Sequence, residues 1–258
     1  MQLIDTHAHL YLEQFDSDRN EMIFRSISKG IDIMLLPNID KDSIGPMLEV
    51  CKTFPANCFP MIGLHPTSVK DDLDEQLNII ENQLINGKFK AIGEIGIDLY
   101  WDVSFKEQQI SAFKQQLRWA KQYKLPVAIH TREAFPLILD LLEAEYDDSM
   151  TGVFHCFNGS LSDAARIKKM GFLMGIGGVL TYKKSGLPEV VAEIPLEFLV
   201  LETDAPFLPP VPFRGQRNES AYIYEIASKL ADVKHVTLEI VAQKTTENAL
   251  KLFCLEVS

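Results

Sequence analysis

The sequence predicts an α/β fold and, within that class, a (β/α)8 TIM barrel formed by a single domain over residues 1–258. Three observations predict it: eight short apolar segments, helical periodicity between them, and a length that suits eight β-then-α units. Most of the apolar segments are continuous rather than alternating, as expected for parallel strands buried on both faces. A doubly wound open sheet is the competing fold, but it usually has fewer strands, and no Gly-x-Gly-x-x-Gly follows the first one.

The predicted strands take up the apolar segments in chain order. They are 3–6, 31–36, 58–64, 91–97, 127–129, 152–156, 172–176 and 198–202. Between them, apolar residues recur at the i, i+3, i+4, i+7 spacing of a helix that lies on a sheet. The clearest examples of this spacing are 44–51, 135–142 and 223–230.

The ends of several helices carry their own signals. Ser104 and Glu107 fit a capping box, which predicts a helix that begins there and runs to about Tyr123. Pro136 falls in the first turn of another predicted helix, where a proline is tolerated. Glycines stand where three further helices should stop, at Gly30, Gly87 and Gly171.

The composition excludes several classes of protein. With 47% hydrophobic and 24% charged residues, the chain is neither disordered nor fibrous. Its formal net charge of −11 provides no global attraction to nucleic acid, so an anionic substrate needs a local cluster of cations. No apolar run suits a membrane span, and no signal peptide is visible. The four cysteines show no Cys-x-x-Cys spacing, so we expect reduced thiols in a cytoplasmic protein.

Four of the six histidines fall at the ends of the first, fifth and sixth predicted strands. His7 and His9 end the first strand two residues apart, so in an extended chain both imidazoles point to the same side. His130 ends the fifth strand and His155 ends the sixth. Each of these histidines alone is compatible with an ordinary turn or core position. In a barrel, however, the C-terminal ends of the strands converge on the face where chemistry takes place.

Two carboxylates occupy comparable positions. Glu94 interrupts the apolar fourth strand, where a buried carboxylate is costly unless it is paired or bound to a cation. The glycines beside it, Gly93 and Gly96, allow another group to approach closely. Asp204 closes the eighth strand, although a lone Asp after a strand is most often a turn former. Taken with the four histidines, these carboxylates predict a metal site with nitrogen and oxygen ligands.

The six residues suffice for two divalent metal ions. A carboxylate can bridge two cations through its two oxygens, and Glu94 is placed to do so. Two metals roughly 3.5–4 Å apart activate a water and stabilise both the entering and the leaving oxygen of a displacement, which predicts a hydrolase. Imidazole ligands favour Zn, Mn, Fe or Co, whereas phosphate chemistry often uses Mg.

Three residues near the same C-terminal face of the predicted barrel are candidate substrate contacts. His65 ends the third strand, and Arg132 lies two residues beyond the histidine of the fifth strand. The segment after the eighth strand carries Arg214 and Arg217, whose planar donors fit phosphate oxygens. Arg217 is the third candidate, whereas Arg214 fits an ordinary solvated loop. Glu202 alternates with the aspartate that closes the eighth strand, so we expect it to point inward as well.

Six short motifs stand in order along nearly the whole chain: IDTHAH at 4–9, GLHP at 63–66, GEIGID at 93–98, HTR at 130–132, FHCFNGS at 154–160 and ETDAP at 202–206. Together with TENA at 246–249 they resemble the TatD family, a branch of the metal-dependent amidohydrolase superfamily. The resemblance implies a distorted TIM barrel. It also implies a divalent-metal phosphodiesterase, usually a deoxyribonuclease and often an exonuclease.

The resemblance further implies how the six ligands are divided. Glu94 would bridge, and the two ions would be held by His7, His9 and Asp204 and by His130 and His155. In the leading hypothesis Asp204 orients the attacking water and accepts its proton, and the substrate is DNA, at ends or in single strands, or a small phosphodiester. The segment after the eighth strand, which carries Arg214 and Arg217, departs from the family pattern at Phe213 and Ser220, where His and Pro are common.

Two other functions are compatible with the same residues. A metal-dependent amide or ester hydrolase, such as a deacylase, needs the same activated water. A binding module that uses the barrel without chemistry would be expected to lose ligands, and here all six are present. We expect no membrane partner and either a monomer or a weak oligomer.

Overall fold

Eight parallel strands alternate with helices in residues 1–255, the part of the chain that this computed structural model describes. The last three residues of the predicted 1–258 domain lie outside the described residues. The strands are β1 (Leu3–Asp5), β2 (Ile31–Leu36), β3 (Cys58–Pro60), β4 (Ile92–Asp98), β5 (Val127–Arg132), β6 (Gly152–Phe154), β7 (Leu173–Ile176) and β8 (Leu199–Leu201).

The helices follow the strands in the order that the sequence predicts. They are α1 (Arg19–Ser28), α2 (Ile44–Thr53), α3 (Leu73–Asn86), α4 (Lys106–Tyr123), α5 (Phe135–Glu145), α6 (Leu161–Lys169), α7 (Leu187–Ala192), α8 (Ile223–Lys234) and α9 (Leu238–Leu252). In the described part of the chain, no helix combines the length and the apolar character that a membrane crossing requires.

The strands close into a barrel through two seams with little pairing. Continuous pairing joins β1 to β2 and β3, and separately joins β4 through β8 in chain order. Single parallel bridges connect these two sheets, between Ala8 and Ala205 and between Ile62 and Ile92. The interrupted seams account for the distortion of the barrel, and the closed ring confirms the predicted (β/α)8 architecture.

Two buried layers hold the barrel together. The larger apolar cluster packs the helices against the outer face of the strands. The smaller cluster contains side chains that alternate along the strands, such as Ile33 and Leu35 on β2, together with Phe253 and Leu255 after α9. Lys90, which precedes β4, donates to the Cys254 carbonyl at 3.1 Å. The end of α9 therefore closes the barrel at the N-terminal ends of the strands.

Most helix boundaries agree with their sequence signals, but the start of α4 does not. Gly30, Gly87 and Gly171 follow the ends of α1, α3 and α6, and Pro136 lies in the first turn of α5. The predicted capping box at Ser104 is wrong, because α4 begins at Lys106 with no side-chain cap, and the Ser104 N–H instead donates to Asp102 Oδ1 at 2.8 Å. A reciprocal capping box forms at the start of α6, between Ser160 and Asp163.

Three strands end two or more residues away from the predicted end, and the other strand boundaries agree to within one residue. The predicted strand 58–64 ends early, since β3 stops at Pro60 and only the bridge at Ile62 continues the pairing. The predicted strand 152–156 ends at Phe154, so His155 lies just beyond β6. In contrast, β5 extends three residues beyond the predicted 127–129 and includes His130 and Arg132.

Candidate metal centre

Glu94 lies among five imidazoles at the C-terminal ends of the strands. Its carboxylate is buried, with 2% of the side chain exposed. Its Oε2 lies 3.1 Å from His7 Nε2 and 3.5 Å from His9 Nε2. Its Oε1 faces three other rings, at 2.8 Å from His155 Nε2, 2.9 Å from His130 Nδ1 and 3.3 Å from His65 Nε2. The two oxygens of one carboxylate therefore face two different sets of histidines.

Asp204 approaches the same cluster from the end of β8. Its Oδ1 lies 3.6 Å from His9 Nε2 and 4.0 Å from His7 Nε2. Its backbone has a φ of 56°, in the left-handed region that Asp adopts more readily than most residues. Its N–H donates to the His7 carbonyl at 2.9 Å, which joins the chain after β1 to the chain after β8. The structure thus brings all six predicted ligands together, and their role as ligands stays a prediction.

The glycines beside Glu94 allow β4 to pack closely on β5. A Cβ on Gly93 would lie 2.6 Å from the Cβ of Ala128. Gly96 has a φ of 153°, and a Cβ there would overlap the backbone of His130. The group that approaches these glycines is therefore the neighbouring strand, and this close packing brings Glu94 and His130 into contact.

Three groups of side chains place ligand atoms within 4.8 Å of one another, close enough to share a metal ion. They are His7 with His9 and Glu94, His7 with His155 and Asp204, and His65 with Glu94 and His130. His65, a candidate substrate contact in the sequence, therefore also lies within reach of a metal.

The chemistry of these groups fits a divalent cation. Imidazole nitrogens and carboxylate oxygens together suit zinc and the neighbouring first-row metals. Among the described residues, the buried atom His7 Nδ1 has no hydrogen-bond partner. The other nitrogen of this ring, Nε2, faces Glu94 Oε2 at 3.1 Å and is therefore the atom available to a cation held by the cluster.

The carboxylates of the cluster are held in the anionic form. Burial alone would raise the pKa of Glu94, but the imidazoles of His155, His65 and His7 hold it well below its ordinary value. The pKa of Asp204 is also lowered, since the nearby imidazoles of His9, His155 and His7 outweigh its burial. The buried anion of Glu94 and the partly buried anion of Asp204 are suited to neutralise the charge of bound divalent cations.

Two polar groups that sequence reasoning missed contact the outer nitrogens of the histidines. Asp98 Oδ2 lies 3.0 Å from His130 Nε2, and the Tyr11 hydroxyl lies 3.0 Å from His9 Nδ1. Such contacts fix the orientation of a ligating imidazole. A signal for Asp98 was present, because it follows Glu94 by four residues on one strand and therefore shares its face.

Glu202 lies behind His155, on the inward side that the sequence predicts. Its side chain is fully buried, and its Oε1 lies 3.4 Å from His155 Nδ1. The same oxygen accepts the Cys156 N–H at 2.6 Å. Glu202 therefore holds the backbone at the end of β6 and places its carboxylate beside the His155 ring.

A cavity of about 390 Å³ opens above the cluster. Its wall includes Trp101, Arg132, Phe207 and Leu208 in addition to the imidazoles and carboxylates. The guanidinium carbon of Arg132 lies 3.7 Å from the centroid of the Tyr100 ring. A larger cavity of about 640 Å³ lies between residues 11–20 and α2, but it is lined by several carboxylates and no histidine. Chemistry rather than volume therefore distinguishes the site.

Two of the three predicted substrate contacts line the cavity, and the third does not. His65 and Arg132 belong to its wall. Arg217 instead donates to Asp18 Oδ1 at 2.6 Å and to Asp18 Oδ2 at 2.9 Å. A third hydrogen bond from Arg217 reaches the Gln14 carbonyl at 2.8 Å. The donors of Arg217 are thus engaged by the chain around α1, so we do not retain it as a substrate contact.

Comparison with known proteins agrees with this geometry. A family model described as TatD related DNase matches residues 4–254. The metal-dependent hydrolase YabD of Bacillus subtilis is 39% identical over 252 residues, which cover 97% of this chain and 98% of the relative. The crystal structure of YjjV, a TatD homologue from Escherichia coli K12, has a TM-score of 0.92 at 30% identity and covers 98% of each chain.

A TatD family hydrolase from Entamoeba histolytica shares the fold, with a TM-score of 0.84 at 24% identity over 98% of each chain. The family match spans nearly the whole chain, and the barrel and its histidine-carboxylate cluster agree with it. The chain therefore belongs to the TatD family of metal-dependent hydrolases.

Proposed function

We propose that this protein is a divalent-metal-dependent phosphodiester hydrolase that acts on DNA, at strand ends or in single strands, in the manner of an exonuclease. The observation that carries the proposal is the position of Arg132. This guanidinium lies on the wall of a cavity whose floor is the imidazole and carboxylate cluster, and it forms no ion pair among the described residues. A phosphodiester anion is the ligand that such a cavity suits.

The cluster supports a site for two cations. Glu94 directs Oε2 toward His7 and His9 and directs Oε1 toward His130 and His155. We assign these five residues and Asp204 as metal ligands, with Glu94 shared. Zn, Mn, Fe, Co and Mg are the candidate metals, and the four imidazoles favour the first four.

When bound, divalent cations would lower the pKa of a water and neutralise charge on the phosphoryl oxygens. Asp204 is the carboxylate that a water in the cavity can reach, because 13% of its side chain is exposed against 2% for Glu94. We assign Asp204 to orient that water and to accept its proton on the carboxylate. Glu94 lies deeper in the barrel, so its carboxylate would remain beside the cations as a fixed negative charge. Arg132 donates to a phosphoryl oxygen, and His65 contacts the substrate or supports the metal group.

The test is hydrolysis by metal-stripped protein to which single divalent cations are restored. We expect cleavage of single-stranded DNA and of bis(4-nitrophenyl) phosphate to return with Mn, Zn, Co or Mg. We expect Glu94→Gln to lower both the bound metal and the rate at least about 100-fold, since it removes the shared anion. Glu189→Gln, at an exposed position on α7, is the matched control.

Two results would overturn the proposal. Wild-type and Glu94→Gln proteins with equal rates would remove the shared carboxylate from the mechanism. Hydrolysis of an ester and amide panel without cleavage of phosphodiesters would instead favour the deacylase function. The cytoplasmic location and the monomeric or weakly associated state stay predictions from the sequence.

A further inference from the structure

A second depression, of about 670 Å³, lies beside the metal cavity and shares Arg132 with it. Tyr100 lines the depression and Trp101 lines the cavity, and their rings meet edge to face with centroids 4.9 Å apart. The Arg132 guanidinium carbon lies 3.7 Å and 5.2 Å from these two ring centroids. The two hollows are therefore separated by one arginine with two aromatic rings against it.

The depression is unusually cationic for a chain with a net charge of −11. Arg132, Arg214 and Lys184 line it, opposed by one carboxylate on its wall, the exposed Glu133. None of the three cations forms an ion pair among the described residues, whereas four other arginines do: Arg19, Arg25, Arg166 and Arg217. Unpaired guanidinium groups that share one hollow form a site for an anion.

The far wall of the depression is held in place before any ligand arrives. The Arg214 guanidinium carbon lies 4.0 Å from the centroid of the Tyr182 ring. The Tyr182 hydroxyl donates to the Pro209 carbonyl at 3.0 Å. Phe213, beside Arg214, stacks on Tyr222 with ring centroids 3.8 Å apart. A preformed wall costs less to organise when a ligand binds.

The exposed aromatic rings indicate that the ligand is a single-stranded nucleic acid. Trp101 is 68% exposed and Tyr100 is 49% exposed, so the ring surface that Arg132 leaves uncovered is available to stack on bases. Only bases that are not stacked within a duplex can lie on such rings.

We propose that the depression binds the phosphate of a single-stranded oligonucleotide that neighbours the phosphate in the metal cavity, between Arg132 and Arg214. This inference rests on the proposed function. Under this inference the preferred substrate is an oligonucleotide with at least two phosphodiesters, since a compound with one phosphate occupies the metal cavity alone.

The test compares the thymidine trinucleotide TpTpT, which has two phosphodiesters, with bis(4-nitrophenyl) phosphate, which has one. For each variant the ratio of the two kcat/KM values is measured in the metal-loaded enzyme. We expect Arg214→Gln to lower kcat/KM for TpTpT, relative to kcat/KM for bis(4-nitrophenyl) phosphate, about tenfold. The reason is the loss of one charge-assisted contact with the second phosphate. The salt dependence of log KM for TpTpT should also become shallower by about 0.7.

Arg166→Gln is the matched control, because it removes the same charge from α6, where Arg166 pairs with Asp140 and Glu143. It should leave both the ratio and the salt dependence unchanged. Inorganic phosphate serves as a competitor against bis(4-nitrophenyl) phosphate. It should inhibit wild type and Arg214→Gln equally if the depression binds only a phosphate that is part of an oligonucleotide.

The outcomes separate the two proposals. If wild type hydrolyses neither compound, the proposed function fails, and this inference fails with it. If wild type hydrolyses both compounds and Arg214→Gln keeps the wild-type ratio, the inference alone is wrong. Weaker inhibition of Arg214→Gln by inorganic phosphate would also overturn it, because the depression would then be a site for the free ion.

Discussion

The charge of Glu94 is the residue-scale feature on which the candidate metal centre depends. An isolated carboxylate inside an apolar strand is costly, and here five imidazoles surround it. Each imidazole can direct a nitrogen inward only if its ring is held in one orientation. Asp98 and Tyr11 provide that restraint for His130 and His9.

We predict that Asp98→Asn weakens the affinity for Mn or Zn about 10- to 100-fold. The neutral amide accepts more weakly from the Nε2 side of His130, which lies 3.0 Å from Asp98 Oδ2, and so orients the ring less firmly. Calorimetric titration of metal-stripped protein measures the change. Asp102→Asn, at a partly exposed position where the carboxylate pairs with Lys70, is the control and should bind metal normally. Equal affinities for all three proteins would mean that the contact does not orient His130.

At the scale of the elements, ion pairs fasten the chain after β8 to α1. Arg217 donates to both carboxylate oxygens of Asp18, which directly precedes α1. Arg25 on α1 donates to Glu219 Oε2 at 2.7 Å. The loop that carries Arg214 is therefore anchored at its C-terminal side. The partners lie 199 residues apart in the sequence for Arg217 and Asp18, which explains why sequence alone did not pair them.

The stability that the Asp18–Arg217 ion pair contributes depends on pH through the pKa of Asp18. The hydrogen bond with Arg217, supported by Arg25, holds that pKa well below its ordinary value. Since the folded-state pKa is depressed, the stabilisation is present above the unfolded pKa of about 4 and is lost as the pH falls toward the folded value. Asp18→Asn should lower the free energy of unfolding by about 1 kcal/mol at neutral pH, a modest value because the pair is partly exposed.

Urea unfolding at several pH values measures this difference. The gap between wild type and Asp18→Asn should narrow as the pH falls below about 4, because the Asp18 carboxylate then becomes protonated in the unfolded chain while it stays ionised in the folded protein. Asp71→Asn, at an exposed position, is the control and should follow wild type throughout. A gap that stays constant across the acid range would show that the charge of Asp18 contributes nothing.

At the scale of the whole molecule, the two ends of the barrel have different tasks. The C-terminal ends of the strands carry the polar cluster, and the N-terminal ends are closed by the end of α9. Phe253 is 1% exposed and packs with the side chains inside the barrel. Stability and chemistry are therefore separated along the barrel axis.

We predict that Phe253→Ala lowers the free energy of unfolding by about 3–5 kcal/mol, because it leaves a cavity in the barrel interior. Denaturant titration measures the loss. Ile240→Ala, in the first turn of α9 and 42% exposed, is the control and should change stability by less than about 1 kcal/mol. Metal stoichiometry at saturating metal should be unchanged in the folded variant. A loss below about 1 kcal/mol would mean that the chain after α9 is not part of the barrel core.

Sequence by itself determined the order of the strands and helices and the residue types that carry the chemistry. Apolar runs, glycine stops and polar residues at strand ends are local patterns, so Glu94, His130 and Asp204 could be selected once these patterns had predicted a barrel. Only the tertiary structure decided which atoms meet: Glu94 divides its oxygens between two sets of histidines, Asp98 supports His130, and Arg217 turns to Asp18. These contacts depend on how closely the strands pack and on which acceptor lies within hydrogen-bond distance of each donor. Both are set by groups distant in the chain, and no local pattern encodes them.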